Sequence, residues 1–102
     1  MKILLICAGG LSTSMLMKKL EKYAAEKGIN LEKIEAVSTA SYRDVCQEYD
    51  VILLGPQVSY QKAAVTEGSG GMPVGAMAPY DYAIGNAENI FKLVDSLLQN
   101  KK

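Results

Sequence analysis

The chain contains no histidine. That removes imidazole general acid–base catalysis and the commonest metal ligand together, so no metal and no other cofactor is expected. Only two cysteines occur, Cys7 and Cys46, in unrelated contexts. A disulfide framework is therefore not expected, and a reducing cytoplasm is the expected setting. Neither sign of charge is in excess: eleven basic and eleven acidic residues cancel. That argues against a nucleic-acid partner, because phosphate backbones select for clustered Lys and Arg. Apolar runs are far too short to span a bilayer, and one lysine followed by a strand pattern is not a signal peptide.

What is present suits one small α/β domain covering residues 1–102. Apolar residues make up 49 % of the chain, enough for a core without a covalent staple. Lys2-Ile3-Leu4-Leu5-Ile6 is an apolar run of strand length, and Val51-Ile52-Leu53-Leu54 is continuous, as in a fully buried parallel strand. Leu31 to Val37 and Met72 to Met77 read as two further strands, the last weakened by Gly75. Helical spacing runs from Met15 to Lys27 with Gly28 as the stop, over Tyr42 to Tyr49, over Val58 to Glu67, and from about Asn86 to Gln99. Gly68-Ser69-Gly70-Gly71 reads as a flexible loop and Ala78 to Gly85 as irregular. Cys46, inside the second helix, reads as core, and Tyr23, Tyr42 and Tyr49 as core or boundary. Strands alternating with helices predict a four-stranded parallel sheet with helices on both faces.

Such sheets place ligands beyond the carboxyl ends of their strands. That edge collects Cys7, the Gly55-Pro56-Gln57 turn and the segment carrying Tyr80, Asp81 and Tyr82. The most informative stretch is Cys7-Ala8-Gly9-Gly10-Leu11-Ser12-Thr13-Ser14, read as a loop between the first strand and the first helix. Two glycines let successive N–H groups turn into one concavity, and the helix start adds free donors and a positive dipole end. The same field favours thiolate at Cys7. A packing cysteine would need no donor-rich loop behind it. A Walker loop is excluded by the missing Gly-Lys-Ser/Thr, and the dinucleotide fingerprint by its missing third glycine.

With Leu53-Leu54-Gly55-Pro56-Gln57-Val58 midway along the chain, this loop resembles the IIB component of the lactose/cellobiose family of the phosphoenolpyruvate-dependent sugar phosphotransferase system. The resemblance spans essentially the whole chain. It implies the low-molecular-weight tyrosine phosphatase-like fold and a phosphotransferase. Cys7 would take a phosphoryl group from a phosphohistidine of a IIA protein and pass it to a sugar on the membrane-embedded IIC component. Ala8, Gly9, Gly10, Leu11, Ser12, Thr13 and Ser14 would form the phosphate-binding loop, with Gln57 and Tyr82 as neighbours of the site. Leu11 and Met15 would contribute to an apolar docking face. The sugar itself is not legible here, since the membrane partner binds it.

Two other readings fit parts of the pattern. A low-molecular-weight phosphatase or arsenate reductase shares the strand, cysteine loop and helix, and Asp81 falls where such an enzyme keeps its acid. It needs an arginine six residues past the cysteine, however, and Thr13 stands there. Threonine cannot supply the bidentate charge-assisted bonds of a guanidinium. A non-catalytic anion-binding module is the third reading. Redox cycling lacks a Cys-x-x-Cys.

Overall fold

Eight consecutive-strand residues, Ile3 to Ile6 and Val51 to Leu54, are 0 % exposed. They form the two central strands of one parallel sheet, β1 (Lys2–Ile6) and β3 (Val51–Leu54), flanked by β2 (Lys33–Val37) and β4 (Val74–Ala76) in the order β2-β1-β3-β4. The computed structural model describes residues 1–7 and 11–99, the side chains of residues 11–13 excepted. Central strands of a parallel sheet are covered on both faces, which is why their sequences do not alternate with polar residues. Side chains still alternate between the faces. Ile3, Leu5 and Leu53 meet Leu16 and Leu20 of α1 (Leu11–Lys27) and Ile90, Phe91 and Val94 of α5 (Ala87–Gln99). Leu4, Ile6, Ile52 and Leu54 meet Tyr42 of α2 (Tyr42–Val45), Cys46, Val58, and Val65 of α3 (Lys62–Gly68). The expected doubly covered sheet is present, and Cys46 is a core residue at 1 % exposure.

The structure corrects the sequence reading at several element boundaries. α1 begins at Leu11 rather than Met15, so Leu11, Ser12, Thr13 and Ser14 are helical and not loop. Ser and Thr favour caps and turns over helix interiors, so a hydroxyl run at a helix start reads easily as loop. Gly28 does stop the helix: its φ is 69°, and the Ile29 N–H returns to the Ala24 carbonyl at 2.8 Å. The segment read as irregular contains a helix, α4 (Pro79–Ile84), started by Pro79 and ended by Gly85 in the left-handed conformation. The Lys19 ammonium of α1 donates to the Ile84 carbonyl at 2.8 Å and so ties α4 to α1.

The third helix is shorter than its pattern, because Pro56–Gln61 winds as 3₁₀ before α3 begins. The second also tightens into a 3₁₀ turn, Cys46–Glu48. Gly68-Ser69-Gly70-Gly71 is not a free loop. Gly68 ends α3 under the Tyr42 hydroxyl, and Ser69 is buried at 1 % exposure with its carbonyl accepting from Gln47 Nε2 at 2.8 Å. Gly75 has a packing reason: a methyl there would come 2.6 Å from Leu97 Cδ1 of α5. The expected tail at Lys101 and Lys102 lies outside the described residues.

Tyr42 and Tyr49 are buried and Tyr23 half-buried. The Tyr49 hydroxyl donates to Glu35 Oε2 at 2.6 Å. Burial, and then this hydrogen bond, push Tyr49 above its ordinary value of about 10. A raised folded-state value means that the hydroxyl's stabilisation is complete below about pH 10 and is lost as the pH rises toward that higher value. Urea melts from neutral into strongly alkaline solution should show this loss. Tyr49→Phe should remove that part of the pH dependence while costing about 1–2 kcal/mol at neutral pH.

Candidate functional site

Backbone pairing continues one residue past the strands at the carboxyl edge of the sheet. The Cys7 N–H donates to the Val37 carbonyl at 3.2 Å, the Gly55 N–H to Ile6 at 2.9 Å, and the Met77 N–H to Leu54 at 2.9 Å. Cys7 and Gly55 therefore end the two central strands side by side. From β1 the chain crosses to β2 on one side, and from β3 to β4 on the other. The connections diverge between them, and that divergence opens the crevice where open α/β sheets bind ligands. Cys7 occupies the switch point.

The thiol is 2 % exposed and belongs to the core cluster under α1 and α5. Beside it the sheet is kept bare. A methyl placed on Gly55 would lie 3.1 Å from Cys7 Sγ and 3.0 Å from Gln57 Oε1. Gly55 has φ −67°, which any residue adopts, so the constraint there is space and not backbone strain. Sequence reading placed Gly55 only in a chain-breaking turn. Its close approach to sulfur is invisible without the register Ile6↔Leu54.

Gln57, exposed at the start of the 3₁₀ segment, lies across Gly55 from Cys7. The turn carrying it is fixed. Pro56 starts it, the Val58 N–H returns to the Gly55 carbonyl at 3.0 Å, and the Ser59 hydroxyl donates to the Pro56 carbonyl at 3.1 Å. Ala8, Gly9 and Gly10 lie outside the described residues. Leu11 to Ser14 open α1, a 17-residue helix with no acidic residue in its first turn and Lys27 in its last. This charge arrangement leaves the positive end of the helix dipole uncompensated on the side of the chain that follows Cys7.

Tyr82 is half-buried on α4, packed against the cluster that contains Cys7. With Met15, Leu16, Lys19, Ala83 and Gly85 it lines a cleft of about 100 Å³ between α1 and α4. Asp81, where a phosphatase would keep its acid, has its carboxylate engaged elsewhere: Oδ1 accepts from Asn89 Nδ2 of α5 at 3.1 Å. A cleft of about 620 Å³ opens around Gln47, Lys62, Thr66 and Gly71 beside the chain entering β4, and neither Cys7 nor Gln57 lines it. Among the described residues no group of His, Cys, Asp or Glu could hold a metal ion, and no helix is long and apolar enough to cross a membrane.

Residues 2–93 match the family model of the phosphotransferase system, lactose/cellobiose-specific IIB subunit. The galactose-specific EIIB component of Lactococcus lactis subsp. cremoris is 35 % identical over 103 residues, covering 94 % of each chain. The lactose-specific EIICB component of Lactococcus lactis subsp. lactis is 35 % identical over 57 residues, which are 56 % of this chain and 10 % of that protein. The solution structure of a cellobiose-specific phosphotransferase IIB component from Borrelia burgdorferi superposes with a TM-score of 0.81 at 38 % identity, covering all of this chain and 94 % of the other. A match of this extent, on a sheet that ends in a cysteine at its switch point, assigns the chain: it belongs to the lactose/cellobiose-specific IIB family of the phosphotransferase system.

Proposed function

We propose that this protein is a cytoplasmic phosphoryl relay in which Cys7 is the covalent carrier between a IIA protein and a sugar bound by a IIC membrane component. The observation that carries the reading is the position of the thiol, at the switch point of the sheet and directly ahead of the chain that enters α1. In the first step the Cys7 sulfur forms a bond to phosphorus as the N–P bond of the donor phosphohistidine breaks. The electron pair of the broken bond returns to the imidazole nitrogen, and the thiol proton ends on the ring, which leaves neutral. In the second step a sugar hydroxyl oxygen bonds to phosphorus, the S–P bond breaks with its pair on sulfur, and the hydroxyl proton restores the thiol. Ala8 to Ser14 surround the phosphoryl group in this reading, with N–H and hydroxyl donors offsetting its charge.

A relay must give up what it accepts. Neutral donors suit it better than the guanidinium of a phosphatase, and Thr13 stands where that guanidinium would be. Proteins must also approach closely enough to exclude water. Met15, Tyr60 and Tyr80 are exposed on the segments that follow β1, β3 and β4, and in this reading their apolar and aromatic side chains serve the docking face. The IIC partner is supported by the lactose-specific EIICB relative, whose name joins the two components in one chain.

Intact-mass spectrometry tests the reading. The protein is mixed with phosphoenolpyruvate, the two general phosphotransferase proteins and a IIA protein, and one added phosphoryl group with the acid and base lability of a thiophosphate is expected. No addition with any of several IIA proteins, together with phosphate release from an aryl phosphate, would favour the phosphatase reading instead. Gly55→Ala probes the geometry: a methyl 3.1 Å from Sγ should slow phosphoryl uptake about tenfold, since displacements below an ångström already matter at a reacting centre. Its melting should shift by about 1–3 kcal/mol or less.

A further inference from the structure

Gly55 leaves one small space, and two side chains bound it. A single point, the methyl position that glycine leaves vacant, lies 3.1 Å from Cys7 Sγ and 3.0 Å from Gln57 Oε1. A phosphoryl group on Sγ brings three strong acceptor oxygens into the neighbourhood of that sulfur. Gln57 is the side chain that already faces the space from the β3 side. Its carboxamide carries a carbonyl oxygen and an NH₂ with two donors, and a half-turn about its last torsion exchanges them. In the unmodified protein the oxygen faces Gly55. An anion in the same place calls for the NH₂. The backbone of the turn is held by the Val58–Gly55 and Ser59–Pro56 hydrogen bonds, whereas Gln57 is exposed.

Building on the relay reading, we propose that Gln57 contacts the phosphoryl group carried by Cys7. Its carboxamide reverses on phosphorylation and donates N–H to a phosphoryl oxygen, from the side of the crevice opposite α1. Gly55 is bare because the phosphoryl group and the carboxamide share its space. The contact stabilises the S–P state relative to the thiol without adding a fixed charge, so it sets the partition of the phosphoryl group between donor and Cys7. Hydrogen bonds to charged groups are the stronger class, and losing one corresponds to roughly a tenfold to hundredfold change in an equilibrium constant.

The test is the phosphorylated fraction at equilibrium with a defined IIA protein, measured by intact mass for wild type, Gln57→Leu and Gln57→Glu. The side-chain ¹⁵N signal of Gln57 is followed in the wild type before and after loading. The expected result is a partition constant about tenfold or more lower in Gln57→Leu and lower again in Gln57→Glu, whose carboxylate repels the phosphoryl group. Thermal melts of the unmodified proteins should coincide, because the residue is exposed, and the wild-type NH₂ signal should move on phosphorylation. Wild-type partition in both variants with an unmoved NH₂ signal overturns the role of Gln57 and leaves the relay standing. Failure of the wild type itself to load from any IIA protein overturns both, and the variants are not needed to see it.

Discussion

Cys7→Ser is expected to accept no phosphoryl group from a IIA protein, a loss of about a thousandfold or more in uptake. The substitution changes one atom, and the change falls on the property that the relay uses. A thiol with an ordinary value near 8.5 supplies some thiolate at neutral pH, whereas a serine hydroxyl becomes a nucleophile only beside a general base. The chain has no histidine to provide one, and such a base is worth about a hundredfold to ten-thousandfold. The variant also carries an internal control. Cys46 is then the remaining cysteine, buried at 1 % exposure on the other face of the sheet with its sulfur 3.8 Å from the Arg43 carbonyl. Label persisting in Cys7→Ser would move the carrier role away from Cys7. Placing a hydroxyl in a 2 % exposed position lowers stability by about 1–3 kcal/mol, so uptake is compared below the onset of melting. A folded variant that still loads at a rate near wild type would falsify the relay through Cys7.

The central strands were legible because their burial leaves nothing polar in Lys2–Ile6 past its first residue or in Val51–Leu54. The parallel sheet followed from the alternation of strands with helices, and Cys7 at its carboxyl edge followed from the strand's end. What sequence could not supply was everything fixed by a neighbour distant along the chain. Gly75 looked like a flaw in a strand, but it admits Leu93 and Leu97 of α5. Ser69 looked like part of a solvent loop, but Gln47, 22 residues earlier, anchors its carbonyl. Gly55 looked like a chain breaker, and its contact with the thiol depends on the pairing of β3 with β1. Helix α4 was missed for a different reason. Its signals were present, with Pro79 at the start and Gly85 at the end, but six residues are too few for an apolar period to emerge.

Leu53→Ala is expected to be the most destabilising of the conservative truncations in the sheet, by about 2–5 kcal/mol. Leu53 is 0 % exposed, sits between Leu5 and Gly75 in the ladder, and faces the cluster beneath α1 and α5. Its neighbours cannot collapse into the space easily. Gly75 has no side chain to offer, and Leu97 of α5 already presses on that glycine. Against a total stability of about 5–15 kcal/mol, and at about 4–8 °C per kcal/mol for a domain of this size, the melting temperature should fall by about 8 °C or more. A urea melt with an unchanged slope and a lower midpoint is the expected signature; a midpoint within experimental scatter of wild type would contradict this packing. The consequence for chemistry is separable from the consequence for stability. Gly55 is positioned by the hydrogen bond from its own N–H to the Ile6 carbonyl, and backbone pairing of this kind does not depend on the side chain at 53. Leu53→Ala molecules that remain folded should therefore load Cys7 at close to the wild-type rate, whereas Gly55→Ala, with the smaller effect on melting, should load slowly. The two variants would then differ in opposite directions on the two axes, and that pattern distinguishes a site built on strand register from one that degrades with general loss of stability.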